Sequence, residues 1–336
     1  MTSVKGRFYP LKSTAKLSAI GAYVPERRLT NQDLEKLVDT SDEWIVRRTG
    51  MKERRIAGPE QFSSDLACAA VRDLVVRYQS DLNDTDLVIV STTTPDYGFP
   101  SVSARVQAAF QLKQAGAIDL SAACSGFEYA LHVANGLVTS GLHKKILVIA
   151  AETMSKVTDY SDRTTCILLG DGASAALVER SEENGAFLGA YMGADGSLGK
   201  ALYRTGLSTI MDGEKLVDSG KMIQNGREVY KWAVKTVTTG IPELLKNSGL
   251  SIEDIDWFIP HSANLRLIEA VFDRLNVPMD KVLYSLEYYG NTSSASIGLA
   301  LSDAVKEGKI KKNDRLLLYG FGGGLCHCGQ VIEWNA

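Results

Sequence analysis

Histidine and cysteine are scarce: four His and five Cys stand among 336 residues. Five cysteines in so long a chain make no disulfide framework, so reduced thiols and a cytoplasmic home are expected. Neither sign of charge dominates. Lys and Arg total 37 against 40 Asp and Glu, a formal net charge of -3. That excludes a protein devoted mainly to nucleic acid, which would carry a strongly basic surface. Apolar runs such as Ile146 to Ala151 fall far short of the roughly 18 residues a membrane span needs. The opening Met1-Thr2-Ser3-Val4-Lys5-Gly6 has no apolar secretory region. The 30 glycines follow no period, which excludes collagen, and 45% hydrophobic with 23% charged residues excludes intrinsic disorder. At about 150 residues per domain the length suggests roughly two folding units.

What is present is a series of short apolar strands divided by helical stretches. Lys16 to Tyr23 reads as a strand closed by Pro25. Thr40 and Glu43 have capping-box spacing ahead of Trp44, Ile45 and Val46. A second helix is expected from Ser64 through Leu66, Val71 and Leu74. Asp86 to Ser91, Ala117 to Leu120, Ile146 to Ala150 and Ala173 to Val178 read as strands made mainly of apolar residues. Continuous apolar strands mark a sheet buried on both faces, hence a layered α/β fold.

The second half repeats this scheme. Leu82 to Ile89 and Ile252 to Ile259 are both acidic turns feeding an apolar strand, at an offset of 170. Cys124 stands 17 residues before Gly141, and Asn291 stands 17 before Gly308. Two unrelated βαβ segments could share one such match; two in the same order favour an internal duplication joined near Arg180 to Gly185. On that pattern Asn291 holds the place of Cys124.

Cys124 lies between a strand and a helix, in Ser121-Ala122-Ala123-Cys124-Ser125-Gly126. A helix N-terminus favours a thiolate, and small neighbours leave room for a substrate. An inert core cysteine fits the same segment. Glu128, His132, Asn135 and Thr139 form a polar stripe on that helix. Cys68 and Cys166 need no special role. Cys326 and Cys328 share one face of a final strand, with His327 on the other, and no second ligand cluster accompanies them, so a metal site is not expected.

A cysteine acting on a carbonyl needs an imidazole nearby. His143 sits in a turn and reads as solvated. His261 ends the strand Trp257 to Ile259, at the sheet edge where α/β folds place ligand chemistry. Asn291 lies in Gly290-Asn291-Thr292-Ser293 and could equally be a helix cap. Gly320-Phe321-Gly322-Gly323-Gly324 follows a strand from Leu316 to Tyr319; it is either a tight turn or a backbone surface for an oxyanion.

Taken together, these segments resemble β-ketoacyl-acyl-carrier-protein synthase III, a family of thiolase-like condensing enzymes. The resemblance covers nearly the whole chain. It rests on Thr40-Ser41-Asp42-Glu43-Trp44-Ile45 with Arg48-Thr49-Gly50, Ala123-Cys124-Ser125-Gly126, Gly170-Asp171-Gly172-Ala173, Pro260-His261-Ser262-Ala263-Asn264-Leu265-Arg266, Gly290-Asn291-Thr292-Ser293 and the Gly320–Gly324 run. Ser262 departs from it, standing where the family often has Gln.

The resemblance implies a five-layer αβαβα fold of two pseudo-duplicated halves, 1–180 carrying the Cys and 181–336 the His and Asn. It implies a homodimer and no cofactor beyond the substrates acyl-CoA and malonyl-acyl-carrier protein. Cys124 would carry the acyl group, His261 and Asn291 would stabilise the enolate left by decarboxylation, and the N–H groups of Cys124 and Gly323 would form the oxyanion hole. Trp44, Arg48, Arg163 and Asn264 would contact coenzyme A; Phe99, across the dimer interface, and Phe321 would line the acyl pocket. Arg227, Lys231 and Lys235 recur at helical spacing, and with Arg266 they would receive an acidic acyl carrier protein. A related condensing enzyme or acyltransferase of secondary metabolism is the alternative, and no nucleic acid or membrane partner is expected.

Overall fold

A computed structural model describes residues 12–336. The opening Met1–Gly6 segment lies outside the described residues. Among the described residues nine strands make the two main sheets, and six short strands pair off as three two-stranded sheets. The first holds β1 (Ala15–Tyr23), β2 (Leu87–Ser91), β3 (Gly116–Leu120), β4 (Lys145–Thr153) and β5 (Asp171–Arg180), in the order β1-β5-β4-β2-β3. The second holds β6 (Phe187–Ala194), β7 (Trp257–Pro260), β8 (Arg315–Gly322) and β9 (Cys326–Glu333), in the order β7-β8-β9-β6.

The second sheet repeats the first. β2 and β4 are parallel, as are β7 and β8. β4–β5 and β5–β1 are antiparallel, as are β8–β9 and β9–β6. Only β3 has no counterpart.

Strand alternation explains why the strands read as unbroken apolar runs. Ile146 and Val148 turn toward the core between the sheets; Leu147 and Ile149 turn outward to a second core. Leu316 and Leu318 face inward, and Leu317 and Tyr319 outward to a third. Each sheet therefore needs cover on both faces. Helix α2 (Ser63–Tyr78) covers the first sheet outside through Leu66, Val71 and Leu74. Helices α4 (Gly226–Ser248) and α5 (Leu265–Arg274) cover the second through Val237, Ile241 and Phe272. Helices α3 (Gly126–Thr139) and α6 (Ser296–Lys306) lie between the sheets, with Phe127, Leu131, Ile297 and Leu301 in the shared core. The result is the five-layer αβαβα arrangement. No helix among the described residues is long and apolar enough to cross a membrane.

Four expectations change. Helix α1 (Asp42–Thr49) is capped by Ser41, whose side chain accepts from the Trp44 N–H, not by Thr40. β3 is an open edge strand with Ile118 44% exposed, so apolar composition there does not mean burial in this chain. Gly320 to Gly322 belong to β8, and the chain turns only after them. Finally, Asn291 is not the counterpart of Cys124. Each central helix is entered by a short turn whose first residue has positive φ: Ala123 at 44° before α3 and Ser293 at 51° before α6. Cys124 therefore matches Ser294, at the same offset of 170 as the acidic turns. The equal 17-residue steps arise because α6 has 11 residues against 14 in α3. That shortening cancels the three-residue displacement of Asn291.

Leu301 is fully buried in the central layer, whereas Val76 on α2 is 77% exposed. Leu301→Ala is expected to destabilise the fold by about 2–5 kcal/mol. Val76→Ala should stay within about 0.5 kcal/mol. Urea unfolding of the two variants checks the contrast.

Candidate active site

Cys124 sits in the turn Ala123–Ser125, half-buried at the entry to α3. Two glycines make this turn possible. A Cβ on Gly126 would collide with the Ser91 side chain on β2. A Cβ on Gly322 would stand 2.7 Å from Cys124 Cβ and 2.8 Å from Sγ. Enclosure has an electrostatic consequence. Burial pushes the Cys124 thiol up to about 12, although the Ser293 hydroxyl and the Gly323 N–H lean the other way. The resting sulfur is thus a thiol, and the thiolate expected from the helix N-terminus does not form at rest. Local peptide dipoles are outweighed by desolvation of the whole site.

His261 follows β7 and is 2% exposed. Its ring meets Phe321 edge-on at 5.2 Å. Nδ1 lies 2.8 Å from Ser296 Oγ, which also accepts the Ser262 N–H at 3.2 Å. The Ser296 hydroxyl proton is then free to donate to Nδ1, which leaves the ring proton on Nε2. Burial lowers His261 to about 3, so the imidazole is neutral near pH 7.

Asn291 is fixed by backbone bonds, its N–H to the Leu168 carbonyl at 2.8 Å and its carbonyl from the Gly170 N–H at 3.0 Å. Its Oδ1 accepts the Ser293 N–H at 2.9 Å. The amide donor Nδ2 is therefore the end left for a ligand.

Cys124, His261 and Asn291 line one cavity of about 540 Å³, with Phe321, Asn264 and the side chains of Arg48, Arg227 and Arg266. All three arginines are exposed, and among the described residues none has a carboxylate at salt-bridge distance. Unpaired guanidinium groups around an opening suit a phosphorylated ligand. Trp44 and Arg163 are not among the residues lining this cavity; the Trp44 ring centroid lies 5.6 Å from the Arg48 guanidinium and 5.2 Å from that of Arg163. Asn264 also caps α5, its side chain accepting the Arg266 N–H at 2.9 Å. Lys231 and Lys235 are exposed on α4 and do not line the cavity; Tyr230 does.

A second cavity of about 390 Å³ reaches the other side of Cys124 past Gly323, Met154, Val157, Leu202, Met222 and Cys326. Phe99 lies in neither cavity and is 90% exposed. The alternation of the last strand is as expected: Cys326 Sγ meets Ser125 Oγ at 3.3 Å on the α3 side, while His327 meets Trp232 of α4. The five cysteines are free. Of the polar stripe of α3, Glu128 and Asn135 are buried while His132 and Thr139 are half-buried, and Glu128 has neither carboxyl oxygen hydrogen-bonded.

Sequence reasoning missed Ser296, Ser293 and Glu152. A carboxylate at the end of the apolar strand Lys145–Thr153 was the available signal for the last of these.

His261 also couples stability to pH. The unfolded chain binds a proton at this ring near 6.5, while the folded ring resists it until about 3. Its contribution is complete above about pH 6.5 and is lost as pH falls toward 3, by up to about 1.4 kcal/mol per pH unit. His261→Gln should therefore flatten the fall of the urea midpoint between about pH 7 and about pH 5. An unchanged slope would show that the folded ring titrates normally.

Comparison with known proteins agrees with this geometry. A family model described as 3-oxoacyl-(acyl-carrier-protein) synthase III matches residues 118–196, and one for the C-terminal part of the same protein matches 245–334. A β-ketoacyl-(acyl-carrier-protein) synthase III 2 of Bacillus subtilis is 59% identical over 323 residues, covering 96% of this chain and 99% of that one. The solved β-ketoacyl-(acyl-carrier-protein) synthase III of Thermus thermophilus superposes with a TM-score of 0.92 at 46% identity, covering 95% and 99% of the two chains. A priming β-ketosynthase from a polyketide biosynthetic pathway gives a TM-score of 0.88 at 35% identity, covering 98% and 99%. The chain belongs to the β-ketoacyl-acyl-carrier-protein synthase III family.

Proposed function

We propose that this chain joins an acyl-CoA primer to malonyl-acyl-carrier protein by decarboxylative condensation, the step that initiates fatty acid synthesis. The observation that carries the reading is one cavity holding a thiol, a neutral imidazole and a carboxamide beneath unpaired arginines. Cys124 Sγ attacks the primer thioester carbonyl, the N–H groups of Cys124 and Gly323 receive the oxyanion, and coenzyme A leaves. Trp44, Arg48, Arg163 and Asn264 hold the coenzyme A nucleotide and its phosphates. The acyl chain extends into the second cavity beside Cys124. Phe321 walls the first, and in a homodimer the exposed Phe99 of each copy would close the other's acyl pocket.

The malonyl thioester then binds with its carbonyl oxygen facing His261 Nε2 and Asn291 Nδ2. Carbon dioxide departs and leaves an enolate. Neutral donors fit this charge: they stabilise the oxygen without handing a proton to the carbon that must react. Each such donor is worth about 10²–10³ in rate. The enolate carbon attacks the acyl group on Cys124, the sulfur is expelled as a thiolate that takes up one proton from solvent to restore the resting thiol, and a 3-ketoacyl chain remains on the carrier protein. No metal or redox group takes part in this sequence, because the loss of carbon dioxide drives the bond formation. The division of labour follows the two halves, 1–180 supplying the nucleophile and 181–336 the enolate donors. The cytoplasm is the expected compartment.

A second reading, the same condensation diverted to secondary metabolism, draws on the likeness to the priming polyketide synthase. Turnover compared across acetyl-, isobutyryl- and longer acyl-CoA primers, with product identification, separates the two.

Cys124→Ala is expected to abolish the acyl-enzyme seen by intact mass after incubation with acyl-CoA. His261→Ala and Asn291→Ala should still acylate while malonyl decarboxylation falls by at least about a hundredfold. Rapid carbon dioxide release by either variant would remove its assigned role.

Arg227, Lys231 and Arg266 are the surface we assign to the acidic carrier protein. Neutralising Lys231 and Arg266 together should raise KM for malonyl-acyl-carrier protein and weaken its salt dependence. An unchanged KM and salt slope would place docking elsewhere.

A further inference from the structure

Glu152 lies near the end of β4, fully buried, directly after the apolar run Ile146–Ala151. Its carboxylate gathers an unusual set of donors. One oxygen accepts from the Thr93 N–H at 3.0 Å, Thr93 Oγ1 at 2.9 Å, Thr94 Oγ1 at 2.8 Å and Thr92 Oγ1 at 3.4 Å. The other accepts from Ser294 Oγ at 2.8 Å and Ser293 Oγ at 3.2 Å. Ser293 Oγ in turn lies 3.5 Å from Cys124 Sγ. A hydroxyl has one proton, so Ser293 can donate to the carboxylate or to the sulfur, not to both. With its proton turned to Glu152, the Ser293 oxygen offers a lone pair to the Cys124 S–H. Thiol, hydroxyl and carboxylate then form one continuous path.

We propose that Glu152, acting through the Ser293 hydroxyl, receives the proton of the Cys124 thiol as the primer is attacked. This deepens the acylation step above and rests on that reading. As Sγ bonds to the thioester carbon, its proton passes to Ser293 Oγ and the Ser293 proton passes to Glu152. When the tetrahedral intermediate collapses, the carbon–sulfur bond to coenzyme A breaks. The departing thiolate recovers the proton by the same path reversed. Glu152 ends as a carboxylate, Cys124 as a thioester and coenzyme A as a thiol, so the half-reaction balances without a further reagent.

The environment supports this assignment. His261 lines the same cavity, but its burial makes it a weak proton acceptor, with a value near 3. Burial instead raises Glu152 above the ordinary carboxyl value, against the pull of its hydrogen bonds. Besides His261 in the same cavity, the titratable groups acting on Cys124 are Glu152 and Cys326. Arg204 is the charged group at Thr93, where it donates to the carbonyl oxygen at 3.0 Å. Asp171, beside Thr153 on β5, is occupied by Ala57 and Ser155.

A merely structural Glu152 and a proton-accepting one predict opposite signs. A nearby negative charge that only repels a thiolate raises the thiol, so Glu152→Gln would quicken alkylation and move its profile to lower pH. The relay predicts the reverse. The test is the pH profile of carboxamidomethylation at Cys124 in the full-length protein, read by peptide mass so that Cys326 is counted separately. Glu152→Gln should slow it at least about tenfold at neutral pH and displace the profile upward; a positioned base ordinarily supplies about 10²–10⁴. A rate equal to or above that of the unaltered protein overturns the proposal. Should Glu152→Gln fail to fold, Glu152→Asp keeps the charge and withdraws it from Ser293. It should be slower if the relay operates and no slower if only repulsion does. Alkylation uses no acyl-CoA, so failure of the condensation reading would show as absent acyl-enzyme, independently of this profile.

Discussion

The turn that carries Cys124 is pressed against the turn that opens α6, and the rest of the site depends on that contact. Both turns start with a non-glycine residue in the left-handed region, Ala123 and Ser293. Such backbone costs of order 1–3 kcal/mol and persists only where packing enforces it. The enforcement is visible. Gly126 gives way to Ser91, Gly322 gives way to Cys124, and Gly298 gives way to Ser174. Three absent Cβ atoms let two helices enter the space between the sheets close enough for Ser293 to reach Cys124. The duplication supplies the facing turns; divergence within them supplies a sulfur on one side and hydroxyls on the other.

That same closeness sets the electrostatics. Side chains in the layer between the sheets are largely buried, so groups there tend to be uncharged unless they collect donors. His261 is neutral, Cys124 is a thiol, and Glu128 is pushed well above the ordinary carboxyl range because no hydrogen bond offsets its burial. Glu152 differs from Glu128 only in company. It has donors on both oxygens, which is what a buried carboxylate needs to keep its charge. Two glutamates in adjacent parts of one core are thus sorted by their neighbours.

Most of the layered fold was legible in the sequence because each strand must satisfy two cores. Leu316, Leu317, Leu318 and Tyr319 have to be apolar together, and no other architecture explains so many runs of that kind. The residues Cys124, His261 and Asn291 stood out because each follows a strand or precedes a helix within a run of small residues. What was not legible is tertiary. The helix N-terminus argues for a thiolate at Cys124, yet enclosure decides the matter, and enclosure is not a local property. The match of Asn291 with Cys124 came from counting to the end of helices whose lengths differ. Ser293 and Ser296 sit among three serines near one another, and nothing in the order of those letters says which one meets the sulfur and which the imidazole. Ile118 looks like a core residue in sequence and lies open on this chain.

Two cavities meeting at one sulfur also account for why a single nucleophile can serve two partners in turn. The larger cavity is lined by arginines together with His261 and Asn291, the smaller one by Val157, Gly323 and Cys326, and Met154, Leu202 and Met222 border both. An acyl chain held in the smaller space leaves the larger one free once its carrier has gone. The second thioester can then approach along the route that the first has vacated, meeting the neutral donors before it meets the acyl-sulfur. On the roles proposed for these residues, shape would impose the order of the reaction: the enolate donors would stand on the approach and the acceptor carbon at its end. A charged imidazole at His261 would defeat this arrangement by protonating the enolate carbon before it reached the thioester, and the dry packing of Phe321 and Ser296 around that ring is what prevents it.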